Sequence, residues 1–148
     1  MQALTNTEAD MRAIHSVLNN YAFAIDTRDW PTFRGLFDKD SVAVYHGLGE
    51  FHGPDDILAL VNGVISQCGP TQHLIGTVDI DLQDTTASVR SYLQAIHIGL
   101  GSHEGQRYTV WGEYHDRLEK RGERWVFTRR ELHTLHSEGD IGIVVDED

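Results

Sequence analysis

Only one cysteine, Cys68, occurs in the 148 residues, so no disulfide can form within the chain. It is expected as a small packed residue late in a helix rather than as a reactive thiol. Positive charge is also scarce. Twelve Lys and Arg stand against 23 Asp and Glu, a formal net charge of −11. Without basic clusters the chain has nothing to hold phosphates, which excludes nucleic acid and an anionic membrane surface as partners. No apolar run approaches the roughly 20 residues of a membrane span. The first residues lack the basic start and apolar stretch of a signal peptide, so the cytoplasm is the expected location. No glycine-rich phosphate loop follows a strand, and neither HExxH nor CxxC occurs, so neither a nucleotide cofactor nor a metal is expected.

What is present is ordinary for a globular domain: 40 % hydrophobic and 24 % charged residues. The length suits a single domain, 1–148, with a real core. Nine histidines are many for this length, and histidine titrates near neutral pH.

Thr5-Asn6-Thr7-Glu8 reads as a capping box opening a helix to about Thr27. Met11, Ile14, Leu18, Tyr21, Ala22 and Ile25 fall at helical spacing and form one apolar stripe. Asp26 lies at the edge of that stripe, either solvated or turned into a pocket beside a phenol. Asp29-Trp30-Pro31 caps and starts a second, short helix ending near Phe37. Ser41 to His46 reads as a short strand, Gly47-Leu48-Gly49 as its turn, and Glu50-Phe51-His52 as the returning partner. Gly53-Pro54-Asp55-Asp56 opens a third helix with Ile57, Leu60, Val61, Val64 and Ile65 inward, stopped by Gly69-Pro70. Beyond Pro70 the period becomes two. Four strands are expected at about 72–82, 86–100, 107–119 and 124–135, joined by short polar loops into an antiparallel meander. The tail, 137–148, either covers an edge, joins a subunit contact or frays. The expected class is α+β: an α+β barrel or cone with three N-terminal helices packed on a curved, mostly antiparallel sheet carrying an inserted hairpin. Such packing can leave a closed cavity for a small apolar molecule.

The series Tyr21…Asp26-Thr27-Arg28-Asp29-Trp30, Gly53-Pro54, Thr71-Gln72-His73 and Trp125-Val126-Phe127…Arg130 resembles the SnoaL-like branch of the nuclear-transport-factor-2-like (cystatin-like) superfamily. The similarity runs over nearly the whole chain and is nearest to the scytalone dehydratase, bile acid dehydratase and dehydrochlorinase-type members. It implies the cone fold and a dyad of His73, at the start of the first long strand, with Asp26. It also implies Tyr21, five residues before that Asp, as a hydrogen-bond donor to a substrate oxygen, and Arg130 as a pocket cation. The chemistry of such a dyad stands by itself: a carboxylate on one ring nitrogen fixes the tautomer and leaves the other nitrogen as a base. The bland alternatives are a solvated Asp26, a satisfied strand-end His73, a core Tyr21 and an exposed Arg130.

Strand alternation from Trp125 and Phe127 turns Arg129 inward, not Arg130, unless a bulge intervenes. A bulge at Gly76 is likewise needed to bring His73 into phase with Val78, Ile80 and Leu82. Trp30, Phe33, Phe37, Tyr45, Leu58, Val61, Leu93, Tyr108 and Tyr114 are candidate pocket walls. His97, in phase with Val89, Ser91, Leu93 and Ala95, is a candidate second polar group. His133 and His136, three apart on a strand, point to opposite faces and cannot share a metal without distortion; His46 and His52 merely flank a turn.

The function expected is that of a cofactor-independent lyase or isomerase. It would take a carbon-bound proton from a small, apolar, cyclic or polyketide- or steroid-like substrate. Loss of water ranks before double-bond migration, and that before ring closure. The alternative is a non-catalytic small-molecule-binding module or an accessory subunit like those of ring-hydroxylating dioxygenases. A homodimer or trimer is expected from apolar residues such as Tyr92 or Trp111 on the outer sheet face.

Overall fold

Helical and alternating patterns divide the chain near Pro70, and the structure divides there too. The computed structural model describes residues 2–145, with side chains from residue 6 onward. Helix α1 spans Gln2–Thr27, α2 Trp30–Gly35 and α3 Gly53–Ile65. Strands β1 (Phe37–Tyr45) and β2 (Gly49–His52) lie between α2 and α3. Strands β3 (Thr71–Gln83), β4 (Thr86–Ile98), β5 (Arg107–Arg121) and β6 (Arg124–Gly139) follow. The six strands form one open sheet in the order β2-β1-β6-β5-β4-β3. Every neighbouring pair is antiparallel except β1 and β6, which run parallel. The three helices pack on this sheet to give the α+β cone.

Several boundaries differ from the expectation. Helix α1 starts at Gln2, ahead of Thr5, whose side chain lies outside the described residues. Helix α2 stops at Gly35, not near Phe37, because Phe37 is already paired with Phe127 as the first residue of β1. Strand β6 runs on to Gly139, its far end paired with β5, and the tail then folds as a short 3-10 helix over Ile141–Ile143. Residues 146–148 of that tail lie outside the described residues.

Two local devices matter for the site. Helix α1 ends with Arg28 in the left-handed region, φ 59°, the Asp29 amide donating to the Ala24 carbonyl and the Arg28 amide to that of Ile25. Glycine normally occupies this position, so Arg28 holds it at a backbone cost. The β3–β4 register slips between Gly76 and Asp79, with Thr77 at φ 50°. This bulge restores the phase between His73 and the strand beyond it.

The core fills the space between the helices and the inner sheet face. Ile14, Leu18, Tyr21 and Ile25 of α1 meet Leu93, Tyr114, Leu118 and Phe127 of the sheet. Among the described residues, no helix is long and apolar enough to cross a membrane.

Candidate active site

Between α1, α3 and the inner sheet face lies a cavity of about 310 Å³. Its walls are largely aliphatic, from Ile25, Leu60, Val61, Val64, Leu93 and Val110. Ile141, Val144 and Val145 of the tail close one side. They are anchored from below, where Cys68, Ile143 and Val144 make a small buried cluster. Burial raises the Cys68 thiol pKa, in keeping with a packed, unreactive side chain.

The polar side chains in this wall are few: His46, His73, His97, Thr134 and the phenols Tyr21, Tyr45, Tyr108 and Tyr114. His73 enters from the start of β3, which crosses the end of α1. There its Nδ1 lies 2.8 Å from Asp26 Oδ1, and its backbone N–H donates to Asp26 Oδ2 at 2.9 Å. The Thr71 hydroxyl also donates to Asp26 Oδ1, at 3.0 Å. Burial pushes the Asp26 carboxyl up in pKa, but the bonds from His73 and Thr71 outweigh it and hold the group below its ordinary value. An ionised carboxylate has no proton to give, so the hydrogen of this contact belongs to His73 Nδ1.

Arg28 secures this arrangement from behind. Its guanidinium donates to Thr71 Oγ1 at 2.8 Å and to the Gly69 carbonyl at 2.6 Å. Arg28 and Thr71 are parts of the site that the sequence reading passed over except as members of a series. The signal available was an Arg directly after a helix end, where glycine is usual.

His97 faces the same cavity, its ring centroid 5.8 Å from that of His73. Its Nδ1 lies 3.0 Å from the Tyr108 carbonyl, which can only accept, so Nδ1 carries hydrogen there as well. Burial lowers the His97 pKa to about 4, so the ring is neutral at pH 7. Neutral His97 therefore keeps its Nε2 free of hydrogen.

Tyr21 and Tyr45 form the other pole. Their hydroxyl oxygens are 2.8 Å apart and buried. Burial raises the pKa of Tyr21, Tyr45 and Tyr114, so all three phenols keep their protons. In a pair of phenols one hydrogen serves the pair and the second is free for a guest.

Arg130 lies behind this pole and does not line the cavity. A register shift between Arg117 and Leu118 of β5 places Thr128 as an extra residue on β6, and the bulge turns Arg130 inward while Arg129 stays outside. The Arg130 guanidinium carbon sits 3.5 Å from the Tyr114 ring centroid, 4.0 Å from that of Tyr21 and 4.6 Å from that of Phe127. Its Nε is 3.2 Å from Asp116 Oδ1, yet the pair lacks the alignment of a hydrogen bond. The ring faces thus supply much of its compensation. Burial raises the Asp116 pKa to about 7 against the pull of Arg130.

The expected pocket walls divide. Tyr45, Val61, Leu93, His97, Tyr108 and Tyr114 line the cavity. Trp30, Phe33, Phe37 and Leu58 do not: they pack in or against the aromatic core beneath α2, where Phe33 meets Tyr21, Trp30 and Phe37. Helix α2 is short and points its aromatic face at the sheet rather than along the cavity. Asp26 also stays out of the wall, its carboxylate bonded to His73 and Thr71.

Comparison with known proteins follows the same line. The model of the SnoaL-like domain family matches residues 7–131. A scytalone dehydratase candidate from Novosphingobium aromaticivorans is 28 % identical, over 93 % of this chain and 91 % of that one, with a TM-score of 0.82. The hexachlorocyclohexane dehydrochlorinase LinA-type3 from Novosphingobium barchaimii superposes with a TM-score of 0.82 at 16 % identity, over 97 % and 99 % of the two chains. A cystatin-like-fold protein of unknown function from Nostoc punctiforme gives 0.71 at 15 % identity, over 84 % and 90 %. The two more distant structures establish the fold only. No curated protein matches this chain.

Proposed function

The chain belongs to the SnoaL-like domain family, and from that premise we propose that it is a cofactor-independent lyase, a dehydratase, acting on a small apolar cyclic β-hydroxy carbonyl compound. The observation that carries this reading is the bond between His73 Nδ1 and Asp26 in the wall of a largely aliphatic cavity. His73 Nε2 takes the proton on the carbon next to the carbonyl. Asp26 steadies the imidazolium that forms. The Tyr21–Tyr45 pair donates a hydrogen bond to the carbonyl oxygen as it gains negative charge. Arg130, beneath the Tyr21 and Tyr114 rings, makes that region electropositive without touching the guest. The β-hydroxyl then leaves with the bonding electrons and takes the proton from His73, so the base returns to its starting state and water is the second product. Excluding solvent strengthens each of these interactions.

Double-bond migration begins with the same abstraction and ranks second; ring closure ranks third. A non-catalytic binding module or dioxygenase-type accessory subunit would suit a filled cavity or a separated Asp26 and His73. The open cavity and the 2.8 Å contact favour the enzyme instead. The size of the cavity, at the small end of the roughly 300–1,000 Å³ of ligand pockets, supports a small guest. We read the assembly as a homodimer or trimer, supported by the exposed Leu74, Tyr92 and Leu135. Solution scattering at micromolar concentration that gives a monomer would overturn that part.

The test is a panel of cyclic and acyclic β-hydroxy ketones and β-hydroxy thioesters, followed by absorbance of the conjugated product. Wild type is expected to dehydrate at least one cyclic member, and His73→Ala to lose that activity. Equal activity in His73→Ala removes the dyad from the mechanism.

A further inference from the structure

The parallel pairing of β1 with β6 brings together residues that are remote in sequence and that no spacing rule connects. Tyr45 pairs with Leu132, so the residues just beyond, His46 and His133, are neighbours at the end of β1. Their ring centroids are 4.2 Å apart. Glu131, two residues before His133 and on the same face, reaches both. Its Oε2 lies 3.1 Å from His133 Nε2 and 3.9 Å from His46 Nε2.

We propose that His46, Glu131 and His133 form a binding site for a divalent transition-metal ion of the zinc type. The site shares no residue with the His73–Asp26 pair, although His46 also contributes to the wall of the cavity. Three observations support it. The three ligand atoms all lie within 4.8 Å of one another. Two ligands around tetrahedral zinc, at about 2.0–2.2 Å from the ion, are roughly 3.3–3.6 Å apart, so only side-chain adjustment is needed. The carboxylate is also divided in use: Arg129 holds Oε1, through Nε at 2.7 Å and Nη2 at 2.6 Å, and Oε2 is the oxygen turned to the imidazoles. Finally, the ligands stand on strand backbone or directly at a strand end, and His115 packs against His133 with a ring separation of 4.4 Å while its own Nε2 is bonded to Glu113. That packing limits the rotamers of His133 and lowers the ordering cost of binding.

Two imidazoles and one carboxylate suit Zn²⁺, and also Ni²⁺ or Cu²⁺, better than Mg²⁺ or Ca²⁺, which prefer all-oxygen shells. Water would complete the coordination on the solvent side. Such an ion would tie the end of β1 to β6 next to Gly47 and Leu48, which border the cavity.

The experiment is calorimetric titration of ZnCl₂ into tag-free, chelator-stripped protein at pH 7.5, with melting temperature measured in parallel. One saturable ion per chain is expected, with a micromolar or tighter Kd and a zinc-dependent rise in melting temperature. His46→Ala, Glu131→Gln and His133→Ala are each expected to weaken binding by about tenfold or more. His136→Ala, at an exposed histidine bonded to Glu138 on the same strand, is expected to bind as wild type. MgCl₂ in place of ZnCl₂ is expected to give no saturable signal. Absence of saturable zinc binding below about 100 μM overturns the proposal. So does binding that survives in all three variants, or that is lost only in His136→Ala. All four substitutions lie at partly or fully exposed positions, and the metal-free melting temperatures of the variants show whether each folds.

Discussion

Asp26 grips His73 at two points: Oδ1 meets the ring Nδ1 at 2.8 Å and Oδ2 meets the backbone N–H at 2.9 Å. The carboxylate cannot turn without losing both bonds, so it orients the ring and the strand that carries it. An amide cannot copy this. In Asp26→Asn, if the amide oxygen keeps the backbone N–H, its NH₂ faces Nδ1 and forces the proton onto Nε2, where the base is needed. Asp26→Asn is expected to fold and to lose activity by about 10²–10⁴-fold. Activity within a factor of a few of wild type, with normal circular dichroism, would speak against a positioning role.

The same carboxylate predicts an acid limit. Its pKa is depressed in the folded chain, so its contribution to stability is complete above the unfolded value of about 3.9 and is lost as pH falls through the folded value. The stability difference between wild type and Asp26→Asn in urea is expected to shrink below about pH 4. A difference that is constant from pH 7 to pH 3 would contradict the depressed pKa.

His97 acts in a higher window. Its folded pKa, about 4, lies below the unfolded value of about 6.5, so between these limits the unfolded chain binds the extra proton. Stability therefore falls as pH drops from 6.5 to 4, by on the order of 3 kcal/mol in total. Urea titrations of wild type and His97→Asn across that range are the check. The variant is expected to lose most of the slope, and parallel curves would show that another group is responsible.

Tyr21 and Tyr45 form one unit through their 2.8 Å contact. Tyr21→Phe and Tyr45→Phe are each expected to cost about 1 kcal/mol of stability. Each should lower kcat by 10-fold or more. The double variant should lose less than the product of the two single losses in kcat, because either change alone disrupts the pair. Strictly multiplicative losses would mean that the phenols act independently.

Arg130 and Asp116 are both fully buried, at 0 % side-chain exposure. Removing only the cation leaves an acid with no partner. Arg130→Met is expected to destabilise by about 3–5 kcal/mol, and Arg130→Met with Asp116→Leu to recover much of that. Urea denaturation measures both. A double variant as unstable as the single one would show that the aromatic stacking, not the ion pair, dominates.

Much of the fold was legible because it rests on periodicity. The stripe from Met11 to Ile25 marked helix α1, and the change to alternation after Pro70 marked the four long strands. The mismatch between His73 and Val78 even called for the bulge at Gly76, and the register slips there. The inward turn of Arg130 was not derivable from alternation, since it depends on the extra residue at Thr128, a choice made by strand pairing. Nor was the meeting of His46 and His133, which requires knowing that β1 lies parallel to β6. Trp30, Phe33 and Leu58 were expected at the cavity because apolar walls and apolar core have the same composition. Only packing separates them. The tail's role as a cavity wall, through Ile141, Val144 and Val145, was not among the fates its sequence suggested, which were an edge cover, a subunit contact or fraying.

The most direct measurement is proton exchange at carbon. The substrate turned over best, or its saturated ketone analogue, is held in D₂O with wild type and with His73→Ala, and loss of the α-proton signal is followed by NMR. Wild type is expected to wash deuterium into the α-position, and His73→Ala to do so about 10²–10⁴ times more slowly while still binding the compound. Equal exchange rates in the two proteins would contradict His73 as the base.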